Sequence, residues 1–165
     1  MKRERPADAG SGAPAGPRER PKKKRKPTRA CALDLGGVRV GIALADELGM
    51  YAHPRGVILA KPRPEFLSSL RAFVEDEGVT HIVCGLPLDM KGGEGDAARR
   101  ARLLAQEIAD TCGVDVELWD ERLTTVEAQR ALAASEVFGK KAKARIDEAS
   151  AVTILQAWLD REGGA

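Results

Sequence analysis

The chain of 165 residues is poor in aromatic residues, which make up 4% of it. It also has no apolar run of about 18 residues, so we expect no membrane-spanning helix. The charged N-terminus is not followed by an apolar stretch, so we expect no secretory signal and a cytoplasmic location. With so few aromatics, the core has to be built from Val, Leu, Ile and Ala. The length suits one ordinary domain.

Cysteine is also scarce. The three cysteines are Cys31, Cys84 and Cys112, and no two of them have Cys-x-x-Cys spacing. Cys31 and Cys84 lie inside apolar runs. We therefore expect small buried thiols in a reducing compartment rather than a redox or zinc site.

Charge is distributed unevenly along the chain. Residues 1–29 hold 11 Lys/Arg and 3 Asp/Glu, whereas the remainder holds 16 and 22. Residues 1–28 have almost no large apolar side chain and are predicted to be a disordered basic tail preceding one domain over 29–162. The basic run at 21–26 suits a polycationic arm that contacts phosphates. It also resembles a nuclear localisation signal, and a tail with no specific role is a third interpretation.

Hydrophobic periodicity predicts an α/β fold in the order βββ-α-β-α-β-α-α. Gly36-Gly37 indicates a tight turn between the first two strands. A meander followed by β-α units predicts a mixed five-stranded sheet with helices on both faces. The predicted strands are 30–35, 38–45, 52–59, 81–86 and 114–119; the predicted helices are 64–77, 96–111, 124–134 and 145–161, with a polar loop over 135–144.

Acidic residues occur where burial makes them costly. Asp34 lies within an apolar strand, Asp120-Glu121 ends another strand, and Asp147 opens the predicted last helix. A buried carboxylate costs several kcal/mol unless it is paired or binds a metal. Individually, Asp34 could cap the Gly36-Gly37 turn, and Asp147 could complement a helix N-terminus. Together, the acids favour a site for Mg²⁺ or Mn²⁺, which prefer oxygen ligands.

Glycines and basic residues near these acids predict how nucleic acid would be bound. Gly36 and Gly37 follow Asp34, and their small size would let a phosphodiester backbone approach the acid closely. Lys140, Lys141, Lys143 and Arg145 precede Asp147 on the predicted loop. We interpret them as phosphate contacts, although a solvated loop explains them equally well.

Four separated motifs resemble the YqgF family of pre-16S ribosomal RNA nucleases, also called RuvX-like Holliday junction resolvases. The similarity covers roughly residues 30–160. The motifs are Leu33-Asp34-Leu35-Gly36 with Arg39-Val40-Gly41, Val83-Cys84-Gly85-Leu86-Pro87-Leu88, Asp120-Glu121-Arg122-Leu123-Thr124-Thr125, and Ile146-Asp147 followed by Leu155-Gln156. Any one of these motifs is weak evidence, but all four at these spacings are specific. Gly37 departs from the pattern, because this family usually has Thr or Ser there.

The resemblance implies an RNase H-like fold and a metal-dependent phosphodiesterase. By this resemblance, Asp34, Glu121 and Asp147 bind two metal ions, one activating water and the other stabilising the departing oxygen. Asp120 remains an alternative ligand to Glu121. Arg122 would neutralise phosphate charge. Arg39, which belongs to the first motif, would also contact the nucleic acid.

These patterns suggest four functions, and the length of the chain argues against the last of them. The leading hypothesis is an endonuclease for structured RNA that processes the 5′ end of pre-16S rRNA, and the second is a resolvase for branched DNA. The third is a non-catalytic nucleic-acid-binding factor. A small actin-fold kinase, suggested by Asp34-Leu35-Gly36-Gly37, needs two lobes and therefore a longer chain. The sequence is compatible with a monomer or a homodimer.

Overall fold

A computed structural model describes residues 29–88, 93–121 and 140–163. The predicted disordered tail and the predicted helix over 124–134 lie outside these ranges. None of the helices within them combines the length and hydropathy that a bilayer crossing requires.

One mixed sheet of five strands organises the described chain in the order β3-β2-β1-β4-β5. The first three strands pair antiparallel, whereas β1–β4 and β4–β5 are parallel. The predicted α/β fold with a mixed five-stranded sheet is thereby confirmed. The elements are β1 Ala30–Leu35, β2 Arg39–Ala45, β3 Ala52–Leu59, α1 Arg63–Glu77, β4 His81–Leu86, α2 Asp96–Cys112, β5 Asp115–Asp120 and α3 Lys140–Gly163.

The sheet has a different helix layer on each face, as predicted. Helices α1 and α2 cover one face with residues such as Phe66, Leu70 and Ile108, and α3 covers the other with Ile154 and Leu155. Strand alternation explains this arrangement, since successive side chains point to opposite faces. Residues that face α1 and α2 are mostly large, including Leu33, Val40, Ile42, Leu44 and Ile82.

The expected buried thiols lie on the α1–α2 face. Cys31 and Cys84 are fully buried and free of disulfides, and Cys112 is partly exposed. Burial raises the pKa of Cys84 to about 12 and raises the pKa of Cys31 further. Both thiols are therefore neutral core side chains at physiological pH.

The start of α3 corrects one prediction. The segment 140–144 was predicted to belong to a polar loop, but the helix already begins at Lys140. Lys, Ala and Arg have high helix propensity, so charge and poor amphipathicity do not exclude a helix here. Asp147 therefore lies about two turns inside α3 rather than at its N-terminus. The helix dipole consequently does not account for this acid.

Candidate active site

Asp34 is a carboxylate buried within the central strand of the sheet, with 4% of its surface exposed. In the antiparallel ladder it is the register partner of Gly41. In the parallel ladder Leu33 pairs with Cys84, and continuing that register by one residue places Gly85 on the other side of Asp34. Register neighbours project to the same face, so Asp34 lies between two glycines on the face that α3 covers.

Gly41 allows the backbone of α3 to approach the sheet at Asp147. A Cβ atom at Gly41 would overlap the Asp147 carbonyl group and would lie 2.9 Å from the Glu148 amide nitrogen. Any larger residue would therefore have to displace the helix. Because Gly41 is the register partner of Asp34, this contact places the Asp147 main chain over the strand next to Asp34.

Gly85 makes the corresponding space for Glu121 on the other side of Asp34. A Cβ atom at Gly85 would lie 2.5 Å from Glu121 Oε1 and 2.9 Å from Ile154 Cδ1. Glu121 directly follows β5 and is 3% exposed. Its carboxylate therefore lies over β4, beside the strand that carries Asp34.

Asp120 is in a different position from Glu121. It is the last residue of β5 and the register partner of Leu86, which packs with Ala98 and Ala101 of α2. Alternation along the strand therefore puts Asp120 on the α2 side of the sheet, away from Asp34. This geometry favours Glu121 as the companion of Asp34.

The carboxylate of Asp147 forms an ion pair with Arg39. Arg39 Nε lies 3.1 Å from Asp147 Oδ2, and the two side chains are 18% and 23% exposed. The partners are 108 residues apart in sequence, so no local pattern reveals the pair. Arg39, predicted as a nucleic-acid contact, is thus directed at one of the candidate metal ligands.

The donor chemistry of this site suits a hard divalent cation. Asp34 and Glu121 offer buried carboxylate oxygens on the same side of the sheet, and the main chain of Asp147 adjoins them. In their present orientation, no three such side chains within the described ranges are close enough to hold a metal ion. The Asp147 carboxylate would have to turn from Arg39 to complete the set.

The other predicted contacts are distributed around the same end of the sheet. Gly36 and Gly37 form the exposed turn after Asp34, and the Gly36 amide donates to the Asp34 carbonyl at 3.0 Å. Lys143 and Arg145 are exposed on the first turns of α3. Arg122 and the side chains of Lys140 and Lys141 lie outside the description of the structure.

The two glycines beside Asp34 were not predicted to have a structural role in the site. Gly41 and Gly85 occurred in the motifs, but neither was interpreted as a packing residue. The available signal was an isolated glycine inside an apolar strand, which often marks a close approach by backbone or another group.

Comparison of sequences with known proteins shows the family of this chain. A protein of Anaeromyxobacter sp. (strain Fw109-5), named "Putative pre-16S rRNA nuclease", is 43% identical over 132 residues, which cover 80% of this chain and 96% of the relative. A relative of the same name from Myxococcus xanthus (strain DK1622) is 41% identical, with 80% and 87% covered. Among solved structures, T. thermophilus RuvC in complex with a Holliday junction substrate is 15% identical with a TM-score of 0.47, covering 84% of this chain and 98% of RuvC. The family model RuvX, described as Holliday junction resolvase, matches residues 28–161, and the chain belongs to this family of nucleases.

Proposed function

We propose that this chain is a metal-dependent nuclease that hydrolyses phosphodiester bonds and processes the 5′ end of pre-16S rRNA. The observation that carries the proposal is the buried Asp34 between Gly41 and Gly85, each of which admits a second acidic residue. The names of the relatives support the RNA substrate. A cytoplasmic protein, monomeric or homodimeric, would suit this role.

The carboxylates of Asp34, Glu121 and Asp147 would bind the cation, with Asp120 a less favourable alternative. Two bound Mg²⁺ or Mn²⁺ ions would polarise the phosphate and activate water. Asp34 is held by its pairing with Gly41 and by the pairing of the adjacent Leu33 with β4, and Glu121 is held against Gly85. These contacts fix the oxygen positions before substrate binds, as efficient electrostatic catalysis requires.

Basic and glycine residues at the same end of the sheet would position the nucleic acid. The exposed Gly36-Gly37 turn leaves space for a phosphodiester next to Asp34. Lys143 and Arg145 would contact neighbouring phosphates from α3. By their place in the sequence, Arg122, Lys140 and Lys141 belong to the same proposed surface. Such contacts add affinity without sequence specificity.

Branched DNA is the second candidate substrate, because the matching family is described as Holliday junction resolvase. The chemistry at the phosphate is the same for both substrates, so the carboxylates do not distinguish them. A non-catalytic binding factor is disfavoured, since buried carboxylates next to a polyanion would oppose binding unless a cation compensates.

The test compares cleavage of a pre-16S rRNA fragment and a four-way DNA junction with Mg²⁺ or Mn²⁺. Asp34→Asn should lower cleavage on the order of 10³-fold and leave binding equal or tighter, because it removes a ligand and a negative charge. Asp76→Asn is the matched control, since Asp76 is exposed on α1 and should behave like the wild type.

The outcomes separate the candidates. Metal-dependent cutting of RNA alone, lost with Asp34→Asn, supports the proposal, whereas cutting of the junction alone supports the resolvase. Binding of both substrates without cleavage would contradict the catalytic assignment. Equal loss of binding and cleavage in Asp34→Asn would also contradict it.

A further inference from the structure

The ion pair between Arg39 and Asp147 places the positively charged guanidinium against one of the proposed metal ligands. Arg39 begins β2, and its position two residues before Gly41 puts both on the face that α3 covers. Gly41 in turn packs directly against the Asp147 main chain. The guanidinium therefore reaches the Asp147 carboxylate across the contact between strand and helix.

This pair has a clear electrostatic reason. Asp34 and Glu121 are 4% and 3% exposed at the same end of the sheet, so Asp147 adds a third carboxylate to a region that already holds two buried ones. Asp147 is also two turns inside α3, where the helix dipole offers little stabilisation. In the absence of metal, Arg39 supplies the counter-charge that Asp147 requires.

Arg39 would oppose a divalent cation at the Asp147 carboxylate. Its Nε engages Oδ2 alone, so an ion that binds Oδ1 would lie close to the guanidinium, and the two positive charges would repel each other. The described residues also contain no group of three candidate ligands close enough for a metal ion. The charge of Arg39 therefore opposes metal binding at Asp147 for as long as the ion pair persists.

We propose that Arg39 is a positioning residue that competes with the divalent cation for the Asp147 carboxylate, holding it in the metal-free protein and releasing it when the ion binds. This inference rests on the proposed function, because it requires the carboxylates to be metal ligands. Its consequence is that the metal site is completed only by an exchange of partners at Asp147. The released guanidinium is then available to a phosphate, which it can bind through two parallel hydrogen bonds.

The test is a titration of the full chain with Mn²⁺ in the absence of nucleic acid. Electron paramagnetic resonance measures the concentration of free Mn²⁺ at each step. Arg39→Ala should bind Mn²⁺ about three- to tenfold more tightly than the wild type, because a partly buried competitor has been removed. Arg39→Lys should lie between them, since it keeps the charge but loses the planar fork. Arg145→Ala is the control for charge alone, because Arg145 is two residues from Asp147 and has no ion pair among the described residues.

Each outcome decides the inference. If Arg39 had only a structural role, its substitution would weaken Mn²⁺ binding by the protein. Unchanged or weaker Mn²⁺ binding in both Arg39 variants would therefore contradict the proposed competition. An equal gain in Arg145→Ala would also overturn it, because a general field would then explain the result. Circular dichroism confirms that each variant is folded before titration. If neither the wild type nor any variant binds Mn²⁺, the proposed function fails together with the inference.

Discussion

The two faces of the sheet are built from residues of different size. The face under α1 and α2 carries large side chains such as Leu33, Ile42 and Ile82. The face under α3 carries Val83 and Trp119 but is otherwise built from small residues, which are Ala30, Ala32, Ala43, Ala45, Gly41 and Gly85. Large side chains bury more apolar area, so the first face contributes more to stability. The second face gives up that area and lets a helix backbone and a carboxylate come close to Asp34.

This difference separates stability from function within one small domain. The large-residue face can lose volume without moving the carboxylates, because the sheet lies between them. The small-residue face cannot accept larger side chains at Gly41 and Gly85, because these glycines directly adjoin Asp147 and Glu121. Substitutions on the two faces should therefore affect different measurements.

The largest effect is expected from Gly41→Ala, which adds volume to the small-residue face. The new Cβ would overlap the Asp147 carbonyl, so α3 must shift. A displacement of about 1 Å near reacting groups can lower kcat about 100-fold, and overpacking costs about 1–3 kcal/mol of unfolding free energy. Cleavage assays and urea unfolding measure the two effects.

Gly95→Ala is the matched control for this substitution. Gly95 precedes α2, and a Cβ atom there would meet nothing within 4 Å. Wild-type activity in Gly95→Ala with loss in Gly41→Ala would support the close approach of α3. Full activity in Gly41→Ala would show that the helix does not need this contact.

Leu70→Ala removes volume from the opposite face and should affect stability alone. Leu70 is fully buried in α1 against the sheet. Deleting such a side chain costs about 2–5 kcal/mol of unfolding free energy. Cleavage measured well below the unfolding transition should keep a kcat close to that of the wild type. A large drop in kcat while the protein is still folded would contradict the separation of the two faces.

Much of the fold was predictable because the strands are short apolar runs with clear ends. The strands 30–35 and 81–86 were predicted with their observed bounds, since charged or turn residues flank each apolar run. The first turns of α3 were missed, because their charges suggested a loop and no apolar stripe opposed that interpretation. Propensity alone favoured the helix there.

The candidate site was predictable in composition but not in arrangement. Asp34 and Glu121 were identified because acids beside apolar strands need a reason to be there, and both are buried. The pairing of Arg39 with Asp147 depends on strand register and on where α3 crosses the sheet. Neither quantity follows from spacing along one chain. The assignment of these residues to metal and nucleic acid remains a prediction.

At the far end of the small-residue face, the Glu117 carboxylate binds side chains of α3. Substitution of Glu117 therefore tests the contribution of that end to stability. Glu117 accepts hydrogen bonds from Trp158 Nε1 at 2.9 Å and Arg161 at 2.7 Å, and its Oε2 lies 3.2 Å from His81 Nε2. Burial acts to raise the pKa of Glu117, but the three hydrogen bonds together hold it below its ordinary value of 4.5. Glu117→Gln should lower the unfolding free energy by about 1 kcal/mol, since the group is partly solvated.

The pH dependence of this effect has a definite sign. A carboxylate whose pKa is lower in the folded state stabilises the protein above its unfolded-state pKa. The difference in unfolding free energy between the wild type and Glu117→Gln should therefore be largest at pH 7 and decrease as the pH falls below 4.5. Glu107→Gln is the control, because its pair with Arg63 is exposed and should contribute little. A gap that stays constant down to low pH would exclude an electrostatic origin.

The smallest effect is expected from Gly37→Thr, which adds a hydroxyl to the exposed turn after Asp34. A Cβ atom at Gly37 would meet nothing within 4 Å, so the unfolding free energy should change by no more than about 0.5 kcal/mol. A hydroxyl on this exposed turn could donate to a phosphate beside Asp34 and tighten nucleic-acid binding by roughly two- to tenfold. Fluorescence anisotropy with a labelled RNA measures the affinity. Gly37→Ala separates the hydroxyl from the added carbon, because equal gains in both variants would mean that a stiffer turn, not a new hydrogen bond, improves binding.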